Sequence, residues 1–224
     1  MAAGWRLPKG DIRKYYVDEN EHWAAFNFVF SDACQKRSTY KFGLIKSILD
    51  NLLSVTPSNR GFELSYRDIF AKFSVNYWNL ITKYHLKQLH GHTRYSDSQI
   101  EIIFEQALAK TGAVDGLEFD SLADDDKEWI IDNVTRECKR CVVGALYENF
   151  DGYLYGFELK SDGIWINPIA YEFMLKYKPE IEQLNYYAWA KFLEKVNADD
   201  ALNRVLGKLE LSTPRRSDLS MYRK

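Results

Sequence analysis

The chain has 224 residues, 46% of them apolar and 15% aromatic, with only 5 Pro and 12 Gly. That composition excludes a disordered or fibrous protein and supplies a full core without disulfide or metal staples. Its 30 basic and 32 acidic side chains leave a net charge of −2, so any surface for a polyanion or a membrane has to be local.

Three cysteines do not make a disulfide framework and suit a reducing compartment. No apolar run approaches the ~18 residues of a membrane span, and Met-Ala-Ala-Gly-Trp-Arg at the start lacks a signal-peptide core. The expectation is a cytoplasmic protein without membrane contact. In chain order, Leu44, Ile45, Ile48, Leu49, Leu52 and Leu53 recur at helical spacing, with Ser38 and Thr39 ahead as candidate caps. Thr56 to Gly61 is a breaker cluster. A second helix is predicted from Ser65, with Ile69, Phe70, Phe73, Tyr77, Leu80, Ile81 and Tyr84 on one face. After a loop from Gly91 to Ser96, a third helix carrying Ile100, Ile103, Phe104, Ala107 and Leu108 is predicted, with Ser96 or Asp97 as its candidate cap.

Thr111 to Ala123 has no helical period, and the charge changes there. Residues 1–110 carry 15 basic and 11 acidic side chains, whereas 111–224 carry 15 and 21. Much of the change lies in Asp115, Glu118, Asp120, Asp124, Asp125 and Asp126, which read as a solvated loop entering a helix N-terminus better than as a Ca²⁺ loop. A long helix follows over Asp125 to Tyr147. Tyr153 to Leu159, a Ser161-Asp162-Gly163 turn and Ile164 to Ile166 predict a β-hairpin. Pro168 suits the first turn of a short helix, and Tyr186, Trp189, Ala190, Leu193 and Val196 mark another, with a shorter one near Ala201 to Leu209. The fold class is therefore mainly α: a multi-helix globular domain with one small β-hairpin. The division is 1–110, a helical part; 111–211, a second helical part with the hairpin; and 212–224, a linker, with 1–211 as one domain the alternative.

Chemistry is sparse. Cys138 and Cys141 form a Cys-x-x-Cys, but on the apolar stripe of a helix and without a second pair, which reads as core cysteine better than as a zinc or redox site. His90-Gly-His92 has no third ligand near it, and His85 sits near a helix end. Lys83, Lys87 and Arg94, interleaved with Tyr77, Trp78, Tyr84 and Tyr95, are candidate phosphate contacts. Arg215, Arg216, Arg223 and Lys224 give the last dozen residues a charge of +3 against Asp218. No catalytic residue and no metal ligand is assigned.

Five stretches in this order resemble the N-terminal region of bacterial HNH endonuclease domain proteins. They are Ser38-Thr-Tyr-Lys-Phe-Gly-Leu-Ile-Lys-Ser-Ile-Leu-Asp50, Tyr77-Trp-Asn-Leu-Ile-Thr-Lys-Tyr-His-Leu-Lys-Gln88, Cys141-Val-Val-Gly-Ala-Leu-Tyr147, Leu184-Asn-Tyr-Tyr-Ala-Trp-Ala-Lys-Phe-Leu-Glu-Lys-Val-Asn197 and Thr213-Pro-Arg-Arg-Ser-Asp-Leu-Ser-Met-Tyr-Arg223. The resemblance implies an accessory domain that holds or positions DNA for a nuclease module following Leu219 to Lys224. That module would supply a Cys-x-x-Cys knuckle, an Asp-His pair and a divalent metal. The Asp-His pair is not in this sequence, so no family catalytic residue transfers and the chain alone is expected to be inactive. DNA is the expected partner, through Lys83, Lys87, Arg94 and the arginine tail, with defence against foreign DNA the expected setting. The alternative is a module that docks a protein partner subunit without touching DNA.

Overall fold

In the computed structural model, which describes residues 7–90, 97–112 and 116–197, most helices start where a side-chain oxygen caps the first turn. A two-residue strand, β1 (Lys9–Gly10), precedes α1 (Glu19–Phe30). Asp18 accepts from the Glu21 amide at 2.9 Å while the Glu21 carboxylate accepts from the Asp18 amide at 3.2 Å, a closed capping box. No element was expected this early. α2 (Tyr40–Asp50) starts as predicted but ends before Leu52 and Leu53, which lie in a 3₁₀ turn with Leu53 exposed, and Thr39 does not cap it. Its hydroxyl instead donates to Gln88 Oε1 at 2.8 Å and accepts from the Tyr77 hydroxyl at 3.0 Å, all within the core.

β2 (Thr56–Ser58) and β3 (Gly61–Ser65) lead into α3 (Tyr66–Thr82), capped by Ser65. α4 (Gln99–Thr111) is capped by Ser98, whose box with Glu101 places the cap one residue beyond Asp97. Ser96 lies outside the described residues. α5 (Asp124–Asn149) is followed by β4 (Tyr155–Glu158) and β5 (Gly163–Ile166). Asn167 then caps α6 (Pro168–Lys176), with the proline in the first turn, and α7 (Lys178–Val196) follows. The helix predicted near Ala201 to Leu209 lies outside the described residues.

The single hairpin is corrected to a five-stranded antiparallel sheet in the order β1-β4-β5-β3-β2. Residues read as a breaker cluster are themselves a hairpin, with Pro57 opposite Phe62 and Ser58 opposite Gly61. Gly61 takes φ +134°, and a Cβ there would lie 2.2 Å from the Ile166 carbonyl, so only glycine lets β3 approach β5. Pro57 is tolerated because β2 is an edge strand. Strands of two and three residues have no period to read, and the five-residue β3 runs directly from the turn into α3, which is why the sheet was underestimated. Its inner face carries Tyr155, Phe157, Ile164, Ile166 and Leu64 against the helices, and the Tyr155 hydroxyl donates to the Val143 carbonyl at 2.7 Å.

The core is one cluster of buried residues extending from Val17 to Leu193, with α2 lying against α3, α5 and α7. Thr111 to Ala123, where the composition shifts, contributes Phe119 and Leu122 to that cluster. The Trp78 indole N–H donates to the Leu117 carbonyl at 2.7 Å. α2 and α3 touch at Gly43, where a Cβ would sit 2.3 Å from the Tyr77 ring.

Candidate nucleic-acid interface

Of the seven cations predicted to meet DNA, Lys83 and Lys87 are described; Arg94, Arg215, Arg216, Arg223 and Lys224 lie outside the described residues. Each of the two is met by carboxylates. Lys83 ends α3 with its ammonium 3.7 Å from Glu118, whose other oxygen accepts from Asn79. Lys87 lies 2.5 Å from Asp97 and 3.7 Å from the buried Glu101. The Asp97 hydrogen bond, seconded by Glu101, holds the Lys87 ammonium above the ordinary lysine range. The acidic residues thus return to this surface and screen it.

A different cation group forms where the α1–α2 connection meets the last turns of α7. Lys36 donates to the Ser31 carbonyl at 2.6 Å and the Cys34 carbonyl at 3.1 Å, covering the C-terminal end of α1, and lies 5.5 Å over the Phe42 ring. Lys41 donates to the Gln35 carbonyl at 2.9 Å and to Cys34 Sγ at 3.5 Å. Both ammoniums are thus held by main-chain oxygens and a sulfur. Lys191 pairs with Asp32 at 2.8 Å. Burial, with Lys41 and Lys191 repelling it, pushes Lys36 below the ordinary lysine range. The Lys191 hydrogen bond, with Lys195 and Lys36 behind it, pulls Asp32 below the carboxylate range. Residues 31–41 and 191–197 together carry five cations, Lys36, Arg37, Lys41, Lys191 and Lys195, against two carboxylates, Asp32 and Glu194.

Main-chain ties fix this group. The Thr39 amide donates to the Gln88 carbonyl at 3.1 Å, the His90 amide to the Arg37 carbonyl at 3.1 Å, and Ser38 pairs with Leu89. Asn197 accepts from the Lys87 amide at 2.8 Å and donates to its carbonyl at 3.1 Å. Local spacing does not reveal the group, because about 150 residues separate its halves. The available signal was the Lys36-Arg37 pair and the four-residue spacing of Lys191 and Lys195 on one helix face.

Elsewhere the residues weighed for chemistry have structural surroundings. Cys138 is fully buried in the core cluster, which pushes its thiol well up, and Cys141 donates to the Glu137 carbonyl at 3.3 Å. Asp124 and Asp126 lie in the first turn of α5, facing Lys127 and Lys110 at 3.2 Å. The His90 ring packs edge-on against Phe192, and His92 lies outside the described residues. Lys46 is buried between Asp50 and Glu182, tying α2 to α7. Among the described residues no group of three His, Cys, Asp or Glu side chains is set to hold a metal ion. No described helix is long and apolar enough to cross a membrane. Comparison of the chain with family models, with curated proteins and with solved structures found no match.

Proposed function

We propose that this chain is an accessory domain that binds and positions DNA for an HNH-type, metal-dependent endonuclease acting against foreign DNA. The observation that carries the nucleic-acid part is the crowding of Lys191, Lys195 and Lys36 around a single close carboxylate, Asp32, with Lys41 beside Lys36. A positive field of that kind is relieved when phosphates replace the repelling neighbours as the nearest charges, with release of counterions. The nuclease part rests on the resemblance of the five stretches from Ser38 to Arg223. In this reading Arg215, Arg216, Arg223 and Lys224 lead toward a module that supplies the divalent metal and the general base, while this chain supplies binding and orientation.

The test is a low-salt mobility-shift titration with duplex DNA, repeated across a salt series. Retardation at micromolar protein, weakening linearly in log–log form with salt, is the expected result. No retardation at micromolar protein in low salt overturns the proposal. A second reading, docking of a protein partner subunit, draws on Tyr15, Tyr16 and Leu53, which expose 58%, 78% and 84% of their surfaces. Co-purification that survives high salt and is lost with Tyr16→Ala would favour it.

A further inference from the structure

Beside the lysine group, two helices distant in sequence run side by side. Glu19 at the start of α1 accepts from Lys176 Nζ at 2.6 Å and from the Tyr177 hydroxyl at 2.7 Å, at the entry to α7. At the far end, Lys191 of α7 donates to Asp32, just past α1, at 2.8 Å. The sequence offset hardly changes between the two clasps, from 157 to 159, so α1 and α7 are parallel and in step. One turn before the second clasp, at the same height on the two helices, stand Phe28 and Tyr187. Their exposures are 42% and 65%, unusual for aromatic side chains in a chain that buries most of its rings. One end of this aromatic pair therefore adjoins Lys191, Lys195 and Lys36.

From this juxtaposition we infer that the outer face of the α1–α7 seam binds single-stranded nucleic acid, with Phe28 and Tyr187 stacking on unpaired bases and Lys36, Lys191 and Lys195 meeting the phosphates. The inference rests on the nucleic-acid reading above and narrows it. A duplex presents phosphates and groove edges but keeps its base faces covered, so it would use the cations and leave the two rings in water. A single strand uses both kinds of group, because every base has a face to stack. The excess of cations over carboxylates favours this polyanion over an apolar protein surface.

Fluorescence anisotropy with a labelled oligothymidylate of about 20 nucleotides, and with a duplex of equal length, tests it. The wild-type chain should bind the single strand about tenfold more tightly than the duplex at equal salt. Phe28→Leu with Tyr187→Leu keeps apolar surface but removes the rings. It should cost the single strand about tenfold and leave duplex affinity and the salt slope unchanged. Both positions are solvent-facing, and a thermal melt matching wild type would confirm folding. Phe28→Tyr with Tyr187→Phe should restore the affinity. Equal binding of the two forms, unaffected by the leucine pair, overturns the strand preference and leaves the broader reading standing. Failure of both forms to bind at low salt overturns both.

Discussion

Lys83 and Lys87 on one side, and Lys36, Lys41, Lys191 and Lys195 on the other, are two lysine-bearing surfaces that share tethered segments and differ in what answers their charge. The first is met by Glu118, Asp97 and Glu101, at 3.7, 2.5 and 3.7 Å. In the second, Lys191 is paired with Asp32 at 2.8 Å, while Lys36 and Lys41 are held by carbonyls and a thiol and repel one another. Exposed ion pairs contribute little to stability, yet each one cancels the field a phosphate would feel. A count of lysines along a sequence therefore says less about a polyanion site than the position of the nearest carboxylates.

Charge reversal tests the contrast most directly. Lys191→Glu with Lys195→Glu should weaken nucleic-acid binding about a hundredfold at low salt and make the log–log salt slope shallower by about two. Lys83→Glu with Lys87→Glu should change affinity less than about threefold, and equal losses from the two pairs would break the comparison. Next in size is an acid sensitivity of α1, which borders the second surface. His22 is 1% exposed, stacked on Phe173 at 4.5 Å and edge-on to Tyr153 at 5.3 Å, with no hydrogen-bond partner at either ring nitrogen. Burial pushes it down to about 4 from 6.5, against the opposing pull of Glu21, Asp18 and Glu19. Between those values the unfolded chain takes up a proton that the folded chain refuses. Stability is thus full above about pH 6.5 and falls as pH drops toward 4, by on the order of 2 kcal/mol. Urea melts of His22→Phe should lose that part of the pH dependence.

A smaller effect is expected at the tie between the surfaces. Gln88→Ala removes the acceptor of the Thr39 hydroxyl and the donor to the Leu86 carbonyl, both buried, and should cost about 1.5 kcal/mol in urea unfolding. Smallest of all, Lys83→Ala should shift stability by less than about 0.5 kcal/mol. A larger loss would mean that the Glu118 pair carries structure as well as screening.

Elements with one clean apolar stripe were legible in the sequence: α2, α3, α5, α7 and the hairpin of β4 and β5. α1 was not, because Trp23, Phe26, Phe28 and Phe30 spread bulky residues around the helix and its buried face is set by partners far along the chain. β1 and β2 were hidden by their two- and three-residue lengths, and β3 by its direct run from a turn into α3. Cys138 was legible as a core residue from its neighbours Val134 and Val142. The carboxylates that answer Lys83 and Lys87 were visible as residues but not as neighbours, since Glu118 comes from the acidic block assigned to solvent. The Lys36 and Lys191 group needs a contact across about 155 positions, which no local spacing encodes.

The clasped pairing of α1 with α7 also has a consequence for how the chain is made. The principal helical partners of α1 are α5, α6 and α7, all beyond residue 123. On the ribosome, Trp23, Phe26 and Val29 therefore emerge long before the surfaces that bury them exist, and synthesis proceeds at roughly 5–20 residues per second. For that interval the first helix is an apolar segment waiting for its seat, a natural ligand for chaperones. Its docking, late and non-local, is expected to close the structure last.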